Sequence, residues 1–204
     1  IFGSSDYFVI IGLSVQKRYP MKNIIVATLF LLLSTNAFAC YYESLSGKTN
    51  LDNCLVEAEQ GFALAQNNLG LLYYNGKGAA QDYKEAVKWF TKAAEQGFAP
   101  GQNNLGFMYD NGQGVTQDDR EAVKWWRKAA EQGDEDAQNN LGVMYNNGTG
   151  VTQDYKSAHM WYNIAAANGN SDAVKNRDNA AKKMTPSQIE KAQDMAREWM
   201  AKHQ

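Results

Sequence analysis

The feature that most constrains the fold of this chain is a repeat of 36 residues. Evenly spaced glycines mark it, and leucine, tyrosine and tryptophan follow the same interval. The positions are Gly61, Gly97, Gly133 and Gly169; Leu69, Leu105 and Leu141; Tyr73, Tyr109 and Tyr145; and Trp89, Trp125 and Trp161. A period of about 20–50 residues is typical of a solenoid, whose stacked units bury their apolar faces against their neighbours. The sequence therefore predicts an array of units rather than a globule around one central site.

Each unit contains two helical patterns separated by a glycine-rich turn. In the first unit, apolar side chains at i, i+4, i+7 and i+8 indicate the buried face of a first helix, namely Ala65, Leu69, Leu72 and Tyr73. Within it, Gly70 costs about 0.5–1 kcal/mol relative to Ala, so we expect its missing side chain to let another helix approach closely. Asp82 is placed to cap the second helix, whose apolar stripe includes Trp89 and Phe90. Two helices per unit predict an all-α fold.

The period also divides the chain into parts. The predicted parts are an N-terminal cap with a half repeat (40–60), three full repeats (61–96, 97–132 and 133–168) and a C-terminal cap (169–204). The last helix of the C-terminal cap is predicted at about 185–202, because Thr185, Pro186 and Gln188 are typical N-cap, N1 and N3 residues.

The N-terminal part has the pattern of a targeting segment. Residues 21–39 combine a positive start, an apolar run at 24–33 and a small-x-small site ending at Ala39, which predicts a signal peptide cleaved before Cys40. Residues 1–20 are interpreted as an over-extended reading frame or a cloning artefact; the alternative is a membrane hairpin. Export places the protein in the periplasm or outside the cell. There Cys40 could pair with Cys54 in a disulfide; the alternative is a lipidated Cys40 in an outer-membrane lipoprotein.

Composition narrows the function. The net charge is −2, whereas a nucleic-acid-binding protein usually carries an excess of basic residues. The chain has two Cys and two His, and they lack the close paired spacing of a zinc site. We therefore predict no nucleic acid, metal or cofactor, no catalytic residues, and membrane contact only through the signal peptide or a lipid at Cys40. The expected state is a monomer, and the expected partner is a protein or peptide.

Residues 137–166 give the fullest version of the repeat, from Ala137 through Leu141-Gly142 and Trp161-Tyr162 to Ala165-Ala166. This pattern resembles the Sel-1-like repeat family, a relative of the tetratricopeptide repeat. The resemblance implies a right-handed α/α superhelix and a role as an adaptor or scaffold. Exported bacterial members are often linked to envelope assembly, signalling or host contact. One cysteine-rich branch is described as β-lactamases, but residues 61–168 contain no Cys, which disfavours a cell-wall or β-lactam hydrolase.

If the first helices line a concave side, as in tetratricopeptide arrays, the residues off the buried stripe form a ladder of amides around an apolar seam. The predicted peptide-binding residues are Asn67, Asn68, Leu71, Tyr74, Asn103, Asn104, Phe107, Asp110, Asn139, Asn140, Val143 and Asn146. Amides donate and accept, so they suit a peptide backbone of any sequence. The alternative for Asn68, Asn104 and Asn140 is a structural role between repeats. The function predicted is a non-enzymatic adaptor with a concave groove; the alternatives are the hydrolase and a structural envelope lipoprotein.

Overall fold

The computed structural model describes Cys40 and residues 51–203. The predicted signal peptide at 21–39 and the segment 1–20 lie outside the described residues. In the described part all regular secondary structure is helical. The helices are α1 Leu51–Glu59, α2 Ala63–Asn75, α3 Tyr83–Glu95, α4 Ala99–Asn111, α5 Asp119–Glu131, α6 Glu135–Asn147, α7 Tyr155–Ala167, α8 Ser171–Ala181 and α9 Pro186–Lys202.

The helices stack in chain order, each packing against the one before and the one after it through α8. Helices α2, α4 and α6 are the first helices of the three repeats, and α3, α5 and α7 are the second helices. Every first helix is followed by a glycine in the left-handed conformation, such as Gly112 at φ 63°, which turns the chain into the next loop. The prediction of an all-α solenoid of three repeats is confirmed.

The glycine inside each first helix lies tightly against an aromatic ring of the second helix of the same repeat. A Cβ added at Gly70 would lie 2.6 Å from the Phe90 ring, and one added at Gly106 would lie 2.8 Å from the Trp126 ring. Gly142 has the same relation to Tyr162, at 2.6 Å. The expectation that these glycines admit a neighbouring helix is confirmed.

The aromatic pairs of the second helices belong mainly to the core. Trp89 and Phe90 are buried, as are Trp161 and Tyr162, whereas in the middle repeat Trp126 is buried and Trp125 is half-buried. These rings pack against the leucines of the first helices and against paired alanines. Their burial confirms that the apolar stripe of the second helices, which includes Trp89 and Phe90, faces the core.

A buried glutamine fastens each repeat to the next, and our sequence analysis did not single it out. The Gln66 amide donates to the Ala58 carbonyl of α1 at 3.0 Å and accepts from Gln96 Nε2 at 2.6 Å. Gln102 makes the equivalent bonds, at 3.2 Å to the Ala94 carbonyl and 2.7 Å from Gln132. The signal was present in the sequence, since glutamine recurs at the 36-residue interval as Gln66, Gln102 and Gln138.

The last helix, α9, packs mainly against α7 rather than against the preceding helix α8. Trp199 of α9 meets the ring of Trp161 at 5.5 Å in an edge-on arrangement, and Ala196 lies in the core cluster with Ile164. Thr185 and Gln188 form a complete capping box at the start of α9. The helix therefore covers a face of the third repeat that stays open in the first two.

Cys40 and Cys54 are joined by a disulfide, and both are buried in one cluster with Leu69 and Trp89. This bond ties Cys40 to helix α1 at the N-terminal end of the array. One sulfur atom cannot hold both a disulfide and a thioether-linked lipid, so the two alternatives for Cys40 exclude each other.

Candidate functional site

Asparagine side chains form a ladder of hydrogen bonds that joins successive first helices. Asn104 Nδ2 donates to Asn67 Oδ1 at 2.8 Å, and Asn140 Nδ2 donates to Asn103 Oδ1 at 3.3 Å. Asn139 accepts in the same way from Asn176 of α8 at 2.9 Å. For Asn104 and Asn140, these bonds fit the alternative of a structural role between repeats. Their partners are asparagines of the preceding first helix.

Some of the predicted peptide-binding amides are not accessible to a ligand, because they lie between repeats. Asn67 is only 5% exposed and bonds Asn104, so it lies at the interface between repeats, where a ligand does not reach it. Asn68 has a buried Nδ2 with no partner in the described part of the chain. In the later ladder positions, Asn104 and Asn140, the equivalent atom donates to the preceding repeat.

Four of the eight predicted residues of the first two repeats line a cavity between α2 and α4. Leu71, Tyr74, Asn104 and Phe107 line it, together with the buried Phe90 and Met108, and its volume is about 210 Å³. Pockets for drug-sized ligands typically measure about 300–1,000 Å³. This cavity is smaller and mostly apolar, so its size suits one large side chain.

Two aromatic rings shape the entrance to this cavity. The Tyr74 and Phe107 rings are 6.1 Å apart in an edge-on arrangement, and the Tyr83 ring lies 5.5 Å from the Tyr74 ring. Phe107 is 39% exposed although it is a large apolar residue. Exposed aromatic side chains at a cavity are typical of surfaces that bind another molecule.

One repeat further along, acidic residues occupy the places of the tyrosines. Asp110 is equivalent to Tyr74, and Asp119 is equivalent to Tyr83. Burial raises the pKa of Asp110 above its ordinary value, and the nearby charge of Asp119 raises this pKa further. In the described part of the chain no cation forms an ion pair with Asp110.

The four predicted residues of the third repeat are all half-buried. Val143 is half-buried against the cluster that contains Tyr162. Asn146 donates to the neighbouring Asn147 at 2.8 Å, and its backbone carbonyl accepts from Gln153. The structure therefore brings Leu71, Tyr74, Asn104 and Phe107 to one cavity and places Asp110, Val143 and Asn146 along the same series of first helices.

A second cavity lies near the C-terminal end, where sequence reasoning predicted no site. It measures about 310 Å³ and is lined by the ends of α5, α7 and α9, including Glu131, Asn168, Trp199 and His203. The His203 ring stacks on Trp199 at 4.0 Å and bonds the Trp199 carbonyl. The sequence offers Trp199, an aromatic residue on the last helix, as a signal for this cavity.

The described residues contain neither a cluster of metal ligands nor a membrane-spanning helix. No group of three or more His, Cys, Asp or Glu side chains is placed to hold a metal ion in Cys40 and residues 51–203. None of the helices described there combines the length and the apolar character needed to cross a bilayer.

Comparison with known proteins identifies the repeat. The sequence model of the Sel1 repeat family matches three consecutive segments, at residues 63–98, 99–134 and 135–170. The chain belongs to the Sel1 repeat family. Members of this family typically act as protein-binding scaffolds. The matched segments have the same 36-residue length as the repeats read from the sequence.

Solved structures of Sel1-like proteins have the same fold. A protective antigen present in uropathogenic Escherichia coli strains is 39% identical, with a TM-score of 0.71, over 75% of this chain and 33% of that one. A Sel1 repeat protein from Oxalobacter formigenes is 36% identical, with a TM-score of 0.65, over 69% of this chain and 59% of that one. The chain thus spans about a third of the length of the Escherichia coli antigen and about three-fifths of the length of the Oxalobacter formigenes protein. No curated protein matches the chain.

Proposed function

We propose that this Sel1 repeat protein is a non-enzymatic adaptor that binds a protein or peptide along the surface formed by its first helices. The observation that carries the proposal is the apolar cavity between α2 and α4, with the exposed Phe107 at its entrance. A side chain inserted there would remove apolar surface of both partners from water, which is the main source of affinity in most protein associations.

The connections between repeats support this choice of surface. Side-chain bonds join α4 directly to α2 and α6 directly to α4 through Asn104 and Asn140. Helices held this closely suit the inner, concave side of a curved array, and concave surfaces are what repeat proteins use for binding. The Oδ1 atoms of Asn104 and Asn140 accept no hydrogen bond within the described part of the chain, so they are available to a peptide N–H group.

A matched pair of phenylalanines tests the proposal. Peptides are selected from a displayed random library on the full-chain protein, and their affinities are then measured for the wild type, Phe107→Ala and Phe62→Ala. Phe62 is 42% exposed and lies away from the cavity, so it controls for the loss of an exposed ring. We expect Phe107→Ala to weaken binding at least about tenfold, or 1.4 kcal/mol, with an unchanged melting midpoint, and Phe62→Ala to have no effect.

The opposite result would identify another surface. If Phe107→Ala binds normally while Lys124→Ala on the second helix α5 abolishes binding, the partner uses the outer face. A third outcome would favour the hydrolase alternative. In that case the purified protein hydrolyses a chromogenic cephalosporin, and the groove variant Phe107→Ala hydrolyses it equally well.

We also propose that the protein is exported after cleavage before Cys40. The support is the pattern of residues 21–39 and the disulfide between Cys40 and Cys54, since such bonds persist in oxidising compartments. N-terminal sequencing and intact mass of the exported form test this. We expect a chain that starts at Cys40 and has lost two hydrogens to the disulfide; a lipid mass on Cys40 would support the lipoprotein, and a start at Met21 would contradict cleavage.

A further inference from the structure

The surface of the first helices changes its chemistry from one repeat to the next. Between α2 and α4 the wall is aromatic, because Tyr74 packs on Tyr83 and faces Phe107. At the next interval the equivalent pair is Asp110 and Asp119, and the position equivalent to Phe107 is Val143. An apolar cavity is therefore followed, one repeat along, by a pair of carboxylates.

The acidic pair lacks a compensating charge. Asp110 lies about one turn beyond Phe107 on α4. Burial, and after it the charge of Asp119, raises the pKa of Asp110. Asp119 accepts a hydrogen bond from Gln117 at 3.3 Å, whereas Asp110 has no hydrogen-bond or ion-pair partner in the described part. A cation placed beside a half-buried carboxylate of this kind gains a charge-assisted hydrogen bond.

We propose that the groove binds an extended peptide segment with a large apolar side chain in the cavity between α2 and α4 and an arginine or lysine three residues away, beside Asp110. The proposal rests on the proposed function and adds the partner's chemistry to it. Packed helices lie about 8–10 Å apart, and an extended chain advances about 3.3 Å per residue. The step from one repeat to the next therefore corresponds to about three residues of peptide. The basic residue stands before or after the apolar one according to the direction of the peptide.

Synthetic peptides test this spacing and charge. Four fluorescein-labelled dodecapeptides of Gly and Ser contain one Leu and, three residues before or after it, either Arg or Glu. Their affinities for the full-chain protein are measured by fluorescence anisotropy at low ionic strength. We expect one Arg peptide to bind at least tenfold more tightly than its Glu counterpart, because it alone places opposite charge beside Asp110.

Charge reversal provides the decisive comparison. Asp110→Lys is expected to make the Glu peptide the tighter binder. Asp172→Lys, which reverses an exposed carboxylate on α8, is the control and should leave the preference for Arg intact. Equal affinity of the Arg and Glu peptides, or a preference that survives Asp110→Lys, would overturn the inference.

The failure of this inference can be told apart from failure of the proposed function. If the peptides bind without charge preference and Phe107→Ala weakens them all, the groove binds peptides and only the assigned chemistry is wrong. If none of the four peptides binds, the inference is also overturned, and the library experiment with Phe107→Ala and Phe62→Ala decides on the groove separately.

Discussion

At position 159 a histidine takes the place that valine has in the first two repeats, as Val87 and Val123. His159 is 3% exposed, and its Nδ1 atom is buried without a hydrogen-bond partner in the described part of the chain. Burial lowers its pKa below the ordinary 6.5, the charge of Arg177 on α8 lowers it further, and that of Asp178 opposes the shift. The folded protein therefore favours the neutral imidazole.

This histidine makes stability depend on pH in a predictable direction. As the pH falls below about 6.5, the unfolded chain takes up a proton before the folded chain does, so stability present at higher pH is progressively lost. We expect wild type to lose more stability than His159→Val between pH 8 and pH 5, measured by denaturant unfolding at each pH. Equal losses in the two proteins would show that His159 does not control this dependence.

Individual side chains divide into those that the sequence predicts and those that it does not. The mid-helix Gly70 was predictable, because a residue that weakens a helix and still recurs at the period indicates close packing. The pairing of Asn104 with Asn67 was not, because an amide on a helix surface looks the same whether it faces solvent or another helix. Only the placement of one repeat on the next decides that question, and this placement depends on the packing angle.

At the scale of elements, α9 explains why the third repeat differs in sequence. The first two second helices carry lysines over tryptophan: Lys92 lies 4.1 Å from the Trp89 ring, and Lys128 lies 4.1 Å from the Trp125 ring. The equivalent residue in α7 is Ile164, which is fully buried. An aliphatic residue stands there because a helix, rather than water, covers that face.

A reciprocal pair of substitutions tests this explanation. Ile164→Lys places a charge beneath α9 and is expected to lower the free energy of unfolding by at least about 2 kcal/mol, the lower end for losing a large buried aliphatic side chain. It should also expose the segment before Thr185 to limited proteolysis. Lys128→Ile at the equivalent open position should change stability little, and similar effects of the two changes would contradict the docking of α9.

The disulfide adds a second element-level prediction at the opposite end. Cys40 and Cys54 are 14 positions apart, and closing a loop of this length contributes roughly 3 kcal/mol by restricting the unfolded chain. We expect a reducing agent to lower the melting midpoint of wild type and to leave Cys40→Ser/Cys54→Ser unchanged. A wild-type melting curve that does not respond to reduction would show that the bond adds no stability.

For the whole molecule, the repeated bonds between neighbours predict which changes of length are tolerated. Removing residues 97–132 takes out one full period and leaves Gln66, Gln138 and their equivalents in register, so we expect a folded helical protein with a smaller denaturant m-value. Removing residues 97–131 shifts every later side chain by one position and should abolish cooperative unfolding. Circular dichroism and urea unfolding of the two proteins make the comparison, and equal behaviour would contradict it.

The asparagine and glutamine bonds between repeats have a consequence for how such a surface can change over time. A duplicated 36-residue block brings its own donors and acceptors, so it can join the array without new compensating mutations. The cavity between α2 and α4 combines side chains from two adjacent first helices, among them Tyr74 and Phe107. Copying one block therefore creates a new neighbour pair, and with it a new combination of wall residues. Recognition in this architecture can diversify by rearranging whole segments while the contacts that hold the stack stay the same.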